Sequence, residues 1–499
     1  MKRIIVWLCL AFFFLNAQSV IWSYYTTGTL WVHFRATRTI DDVDGDQCDD
    51  VIAVSENDTL FCFSGLSGAP IWRFAADPCY LERGMISVPD LDGDTIADVV
   101  LGTVWGTRSV FAISGADGSV IWQYDTHEYG DGGWVYEVSV QEDVTGDSIV
   151  EILACAGGPD AERAYLFNGA TGVKIWEDSV GYACYGVRVI GDITGDSLSD
   201  VAVATGNYVP SAYRVRFLNG LNGSLIREVM LPSAGLTVVP IGDIDADTVP
   251  DVACGTSDGS IIGLSGADAS TIWTTNTGGM VWDLSLLPDV DSNGYPQLLP
   301  SGTGMNSFIC IDALTGNTVW SAPAADQVFV NVAIADINND GIGDVVGGTG
   351  YNINVLYAID GSSGTVFWEY PTGSPVESAY WIEDINGNSI PDILAGTRNG
   401  WLYALSDGDV GVLDAGSSTA YRQTPIVAFG RLEIKHGLPV NTRMQVDIYS
   451  VLGQRVACVD VVVDTDPVNV NVKELATGVY CARVRARDLD TVVKFVIVN

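Results

Sequence analysis

The sequence predicts an all-β fold: an eight-bladed β-propeller closed by an N-terminal strand, followed by a small β-sandwich. Three observations point to it. A nine-residue acidic figure recurs eight times, at steps of 46 to 53 residues. A strand carrying a tryptophan ends most repeats, and an orphan copy of that strand stands near the N-terminus. Charge and composition then break at about residue 425. A period of about 50 residues is the size of one four-stranded unit stacked against its neighbours.

The acidic figure is clearest in Asp90-Leu91-Asp92-Gly93-Asp94-Thr95-Ile96-Ala97-Asp98, with carboxylates at positions 1, 3, 5 and 9 and a short apolar strand after it. Copies begin at Asp42, Asp90, Asp143, Asp192, Asp243, Asp289, Asp336 and Asp384. A hard cation such as Ca²⁺ takes about six to eight oxygens. A tight loop can turn side chains 1, 3 and 5 inward, with a carbonyl from position 7 and a further carboxylate from position 9. Asp, Asn and Gly also form plain turns, but a plain turn does not ask for the acid found at position 9 in seven of the eight copies. Nor does it relieve the repulsion among three or four carboxylates. An EF-hand is not indicated, because the flanks read as strands and position 12 has no consistent Glu.

The candidate Ca²⁺ ligands are therefore Asp42, Asp44, Asp46 and Asp50; Asp90, Asp92, Asp94 and Asp98; Asp143, Thr145, Asp147 and Glu151; and Asp192, Thr194, Asp196 and Asp200. In the second half of the ring they are Asp243, Asp245, Asp247 and Asp251; Asp336, Asn338, Asp340 and Asp344; and Asp384, Asn386, Asn388 and Asp392. The last set is expected to bind more weakly. The sixth copy (Asp289, Asp291, Asn293, Gln297) is degenerate and is expected to be weakest.

Net charge is −38 over 499 residues, but it is uneven. Residues 18–425 hold 13 basic and 54 acidic residues, whereas 426–499 hold 9 and 8. Such an acidic surface repels nucleic acid and anionic membranes. Residues 1–17 read as a secretory signal: Lys2 and Arg3, an apolar run Ile4–Leu15, and Ala17 at the cleavage site. The run is too short for an ordinary span, so no integral membrane segment is expected after its removal. Ten cysteines include Cys9 in the signal, and the odd remainder argues against a disulfide framework. Cys155 and Cys254 read as small buried hydrophobes. Cys458 and Cys481 are candidates for a bridge between two strands of the tail.

One repeat reads as four strands. The first leads into the acidic loop (Ile86–Asp98), the second is Val99–Gly102, the third Ser109–Ser114, and the fourth Val120–Tyr124 after the turn Gly115-Ala116-Asp117-Gly118. The closing tryptophans are Trp72, Trp122, Trp176, Trp273, Trp320 and Trp368, with Ile226-Arg227 substituting in the fourth repeat. The eighth repeat lacks this residue, and the orphan strand Ile21–Gly28 carries Trp22. If that strand completes blade eight, the ring closes and no long edge is exposed. Seven blades plus a stray repeat is the alternative. The propeller then spans 18–414, a polar linker 415–425, and six or seven strands of a β-sandwich 426–499.

Three family resemblances rest on these residues. Asp336–Asp344 with Val345-Val346-Gly347-Gly348-Thr349 resembles the FG-GAP or VCBS repeats of integrin-α-type propellers, which implies Ca²⁺ in the loops. Ala313-Leu314-Thr315-Gly316-Asn317-Thr318-Val319-Trp320 resembles the tryptophan-docking repeats of quinoprotein-like propellers, which implies eight blades. The tail, with Ile448–Val456, Leu475–Tyr480 and Lys494, resembles the type A sorting domain of type IX secretion cargo. That implies contact with the secretion machinery through 426–499, and export through the periplasm and outer membrane to the cell surface or medium.

No enzyme is expected. There are three histidines, no Gly-x-Ser-x-Gly elbow and no Cys-Cys pair of the kind quinoprotein dehydrogenases carry. A polysaccharide lyase would need bases such as Lys174, Arg188, Arg214, Arg216 or Arg227, and these are few. A lyase-like or dehydrogenase activity is the alternative to a binding or adhesion protein with a protein or glycan ligand. The loop Thr126–Trp134 is the candidate binding segment, with Tyr129 and Trp134 its candidate contacts.

Overall fold

The computed structural model describes residues 20–28, 32–158, 160–207 and 209–406, and seven strands of the tail between 426 and 497. The signal segment 1–17, Cys9 and the linker 415–425 lie outside the described residues. The chain divides into two compact units, Met1–Val410 and Gly411–Asn499.

The first unit is eight four-stranded antiparallel sheets. Blade one runs Phe34–Ile40, Asp50–Ser55, Thr59–Phe63 and Pro70–Ala75. Blades two to seven occupy 85–125, 134–179, 183–230, 235–276, 283–323 and 327–371. Blade eight is built from Val376–Ile382, Asp392–Thr397 and Trp401–Leu405, with Val20–Tyr25 paired antiparallel to the last of these. The expected closure therefore holds, and the degenerate sixth repeat still forms a full blade, so the seven-blade alternative falls.

Among the described residues the ring has no single core. Eight apolar clusters each join one blade to the next, from blades one and two (Trp72, Val54, Leu101, Phe111) round to blades eight and one (Trp22, Phe34, Phe63, Leu402). Each second strand is covered on both faces by neighbouring blades, and its residues are buried throughout, as in Asp98–Gly102. Each fourth strand is outermost and alternates, as in Val120–Asp125. That is why the second strands read as short apolar runs and the fourth as an alternating pattern around one tryptophan.

Tryptophan docking holds blade to blade. The indole N–H of Trp22, Trp72, Trp122, Trp176 and Trp320 donates to the carbonyl of Gly65, Gly115, Gly169, Gly220 and Gly361, at 2.6–2.8 Å. Trp273 donates to Ala313 at 3.0 Å. The last glycine of these six turns lies flat on the same indole: a Cβ on Gly68 would stand 2.6 Å from Trp22. At the fourth repeat the Arg227 guanidinium donates to Gly266 instead. There the turn ends in Ala269, at φ +61°, where the six turns under Trp22, Trp72, Trp122, Trp176, Trp273 and Trp320 end in glycine. With no indole to cover, a methyl fits.

In the second unit a five-stranded sheet has the order 426–428, 489–497, 478–486, 443–450, 455–462, and 431–434 pairs with 468–471. The expected run 426–434 is two separate strands. Cys458 and Cys481 sit on strands either side of 443–450, opposite Asp447 and Tyr449. Two strand spacings, about 9–10 Å, exceed the reach of a disulfide, so the suggested bridge is corrected. Cys155 and Cys254 are fully buried and free, as expected of small hydrophobes.

Candidate functional site

Each acidic loop joins the first strand of a blade to its second, at the same end of the ring as the docking turns. In blade one, Asp42 accepts from the N–H of Gly45 and Asp46 through Oδ1 and of Gln47 through Oδ2, at 2.7–3.1 Å. Two left-handed residues make this turn, Gly45 at φ +82° and Gln47 at φ +74°. The same pair of positive φ values recurs at Gly93/Thr95, Gly146/Ser148 and Gly195/Ser197.

Position 9 has a structural duty that sequence reasoning missed. Asp50 accepts from Val43 N–H at 2.7 Å through one oxygen and from Gly65 N–H at 2.9 Å through the other. It thereby ties the loop to the docking turn of its own blade. Asp98, Glu151, Asp200, Asp251 and Asp344 repeat the arrangement. In blade six Gln297 keeps the loop bond, to Val290 N–H at 2.8 Å, without a charge. Burial pushes the Asp50, Asp98 and Asp344 carboxyls up to about 6, against the pull of these backbone N–H groups.

Carboxylate oxygens converge in four loops, each within 4.8 Å of the others: Asp42/Asp44/Asp50, Asp90/Asp92/Asp94, Asp143/Asp147/Glu151 and Asp243/Asp245/Asp251. An all-oxygen set with several charges suits a hard divalent cation, and a buried acid beside like charges gains most from one. The donors present therefore fit Ca²⁺. Blades seven and eight differ. Asn338 points its amide N–H toward Asp340 and Asp344, and Asn386 donates to Asp392 at 2.7 Å. The amide already supplies part of the positive potential a cation would bring. In blade four, Thr194, Asp192, Asp196 and Asp200 form the same loop without a three-carboxylate cluster among the described residues.

The opposite end of the ring is organised by Arg83, in the lead-in to blade two. Its guanidinium donates to the carbonyls of Tyr185 at 2.9 Å, Leu236 at 2.7 Å and Trp282 at 2.6 Å. These belong to the innermost edges of blades four, five and six, so one side chain closes the centre of the ring. Asp283 at 3.3 Å and Glu137 at 3.5 Å balance its charge, and it is 2% exposed. Burial alone would lower its pKa, but those two carboxylates outweigh it and hold it up. Around it Arg188 pairs with Glu137, Arg38 with Glu82, and Arg35 with Glu56 and Glu377.

The two candidate ligand contacts do not come together. Tyr129 packs between blades two and three, its hydroxyl on Glu177 at 2.5 Å and its ring under Arg163 at 3.8 Å. Trp134 joins Tyr80, Trp105 and Tyr136 beside the central plug, with ring centroids 4.7–6.1 Å apart. Tyr129 therefore serves a blade interface, and Trp134 belongs to a different surface.

Eight four-stranded blades with tryptophan-docked turns define a PQQ-type repeat propeller. Residues 41–225 and 244–437 match the family described as outer membrane protein assembly factor BamB, and the chain belongs to that family. Of the two propeller resemblances, this match carries the quinoprotein-like one. Residues 428–499 match the secretion system C-terminal sorting domain. The protein is thus a type IX secretion cargo, exported to the cell surface or the medium. Among solved structures it is similar to Saccharomyces cerevisiae Sqt1, with 10% identity, a TM-score of 0.57, and 78% of this chain and 98% of that one covered. It is also similar to the computationally designed Ika8 protein, with 12% identity, a TM-score of 0.53, and 75% and 96% covered. At these identities the likeness is of fold alone. No curated protein matches the chain.

Proposed function

We propose that this chain is an exported, Ca²⁺-stabilised propeller that binds a partner at the cell surface or in the medium without turning it over. The observation that carries the proposal is the convergence of three carboxylates in each of four repeated loops. The loops' resemblance to FG-GAP repeats agrees with it, and the sorting tail supplies the compartment, where Ca²⁺ is available and partners are external.

The non-enzymatic reading is supported by where the basic groups are spent. Lys174 bonds Glu177 at 2.6 Å, Arg188 bonds Glu137 at 2.5 Å, and Arg216 is forked onto Asp178. Arg214 pairs with Glu228, and Arg227 is spent on docking. A lyase needs a free base or acid beside its substrate. Incubating the mature protein with polysaccharides and with alcohols plus a redox dye is the test. New unsaturated or reducing ends, or dye reduction, would sink the proposal.

A further inference from the structure

Six aromatic rings form one connected platform over the Arg83 plug. They are Tyr80, Trp105, Trp134, Tyr136, Tyr185 and Trp282, drawn from blades two, three, four and six and their lead-in segments. Neighbouring centroids lie 4.7–6.5 Å apart from Trp105 through Trp134, Tyr80 and Tyr136 to Tyr185 and Trp282. The platform is rigid, because Arg83 bonds the carbonyls of Tyr185 and Trp282 directly.

Its outer end is built to project. Trp105 is 45% exposed and sits at φ +60°, a backbone conformation that bulky residues avoid. The loop holds it there: Asp77 accepts Thr107 N–H at 2.8 Å, and Arg108 Nε–H donates to the Trp105 carbonyl at 2.8 Å. Asp77, Asp131 and Asp160 border this loop, through Thr107, Arg108 and the Asp131–Asp160 bond at 2.8 Å. Flat apolar rings beside hydroxyl acceptors match a pyranose, which has one C–H face and many O–H donors. The acids, on a chain of net charge −38, repel uronates, sulfated polymers and nucleic acid.

We propose that this platform binds a neutral polysaccharide, with sugar rings stacked on Trp105 and Trp134. The proposal rests on the reading of the protein as a non-catalytic binder and names its ligand class. Native affinity electrophoresis of the full mature protein in Ca²⁺ tests it, with a β-glucan, a mannan and a xylan as probes and polygalacturonate as the anionic control. At least one neutral polymer should retard the protein. Trp105→Ala, at an exposed loop position, should weaken that retardation about tenfold or more with the melting temperature kept, and Trp134→Ala should weaken it as well. Tyr129→Phe should leave it unchanged. Retardation by no neutral polymer, unaltered retardation of Trp105→Ala, or preference for polygalacturonate would overturn the site. Cleavage of the retained polymer would instead overturn the non-catalytic reading on which it rests.

Discussion

The indole N–H of Trp22 lies 2.7 Å from the carbonyl of Gly65. This contact fastens the strand that completes blade eight to the docking turn of blade one, repeating across the closure what Trp72 does for Gly115. The ring is therefore sealed twice, by the ladder between Val20–Tyr25 and Trp401–Leu405 and by an indole.

Trp22 is 7% exposed and packs with Phe63 and Leu402. Trp22→Ala should cost about 3–5 kcal/mol, read as a lower midpoint in denaturant. Deleting residues 18–28 should destabilise further and expose the edge of Trp401–Leu405. Full stability of the deletion variant would place the closure elsewhere.

The exchange of Arg227 and Ala269 for tryptophan and glycine makes a coupled pair. Trp introduced at 227 would press on the Ala269 methyl, as a Cβ on Gly68 would press on Trp22 at 2.6 Å. Arg227→Trp alone should destabilise by about 1–3 kcal/mol through overpacking. Adding Ala269→Gly should recover most of that, with a coupling energy of about 1 kcal/mol or more. Additive effects would show that glycine and indole are not partners.

Arg83→Met should cost about 3–5 kcal/mol. It strands three inward carbonyls and removes a partner of Glu137, and one broken buried pair is of that size. Arg83→Lys should not restore stability, because an ammonium lacks the planar fork that reaches three blades. A parental melt for Arg83→Met would remove the plug from the account.

What the sequence made legible was whatever recurs at the repeat period. The eight acidic loops, the tryptophan of the fourth strand and its absence at the eighth repeat sufficed to count and close the ring. The position 9 acid was read as a ligand alone, because a backbone clamp between Asp50 and Gly65 leaves no motif beyond the acid itself. The bonds from Arg83 to the carbonyls of Tyr185, Leu236 and Trp282 were invisible. They join residues 102 to 199 positions apart, once only, at the ring's centre. Tyr129 looked like a binding residue because it stands in a long aromatic loop, yet its hydroxyl is spent on Glu177.

The tail is expected to act as an address. A chain ending at Pro425 should fold and accumulate in the periplasm, whereas the full chain reaches the surface or medium. Fractionation and immunoblotting check this. Finding the truncated chain outside the cell in the parental amount would contradict the role of residues 428–499 matched to the sorting domain.

If Ca²⁺ belongs to the folded ring, as proposed, thermal melting of the purified mature protein in chelator and in Ca²⁺, with elemental analysis, reads it out. Ions that bind only the native state stabilise it by mass action, by about 2.7 kcal/mol at a hundredfold excess over Kd for one site. Melting should rise clearly from chelator to Ca²⁺. Asp42→Asn and Asp243→Asn, in loops with converging carboxylates, should shrink that rise more than Asp384→Asn in blade eight. An unchanged melt, with no calcium retained by the protein, would contradict the account.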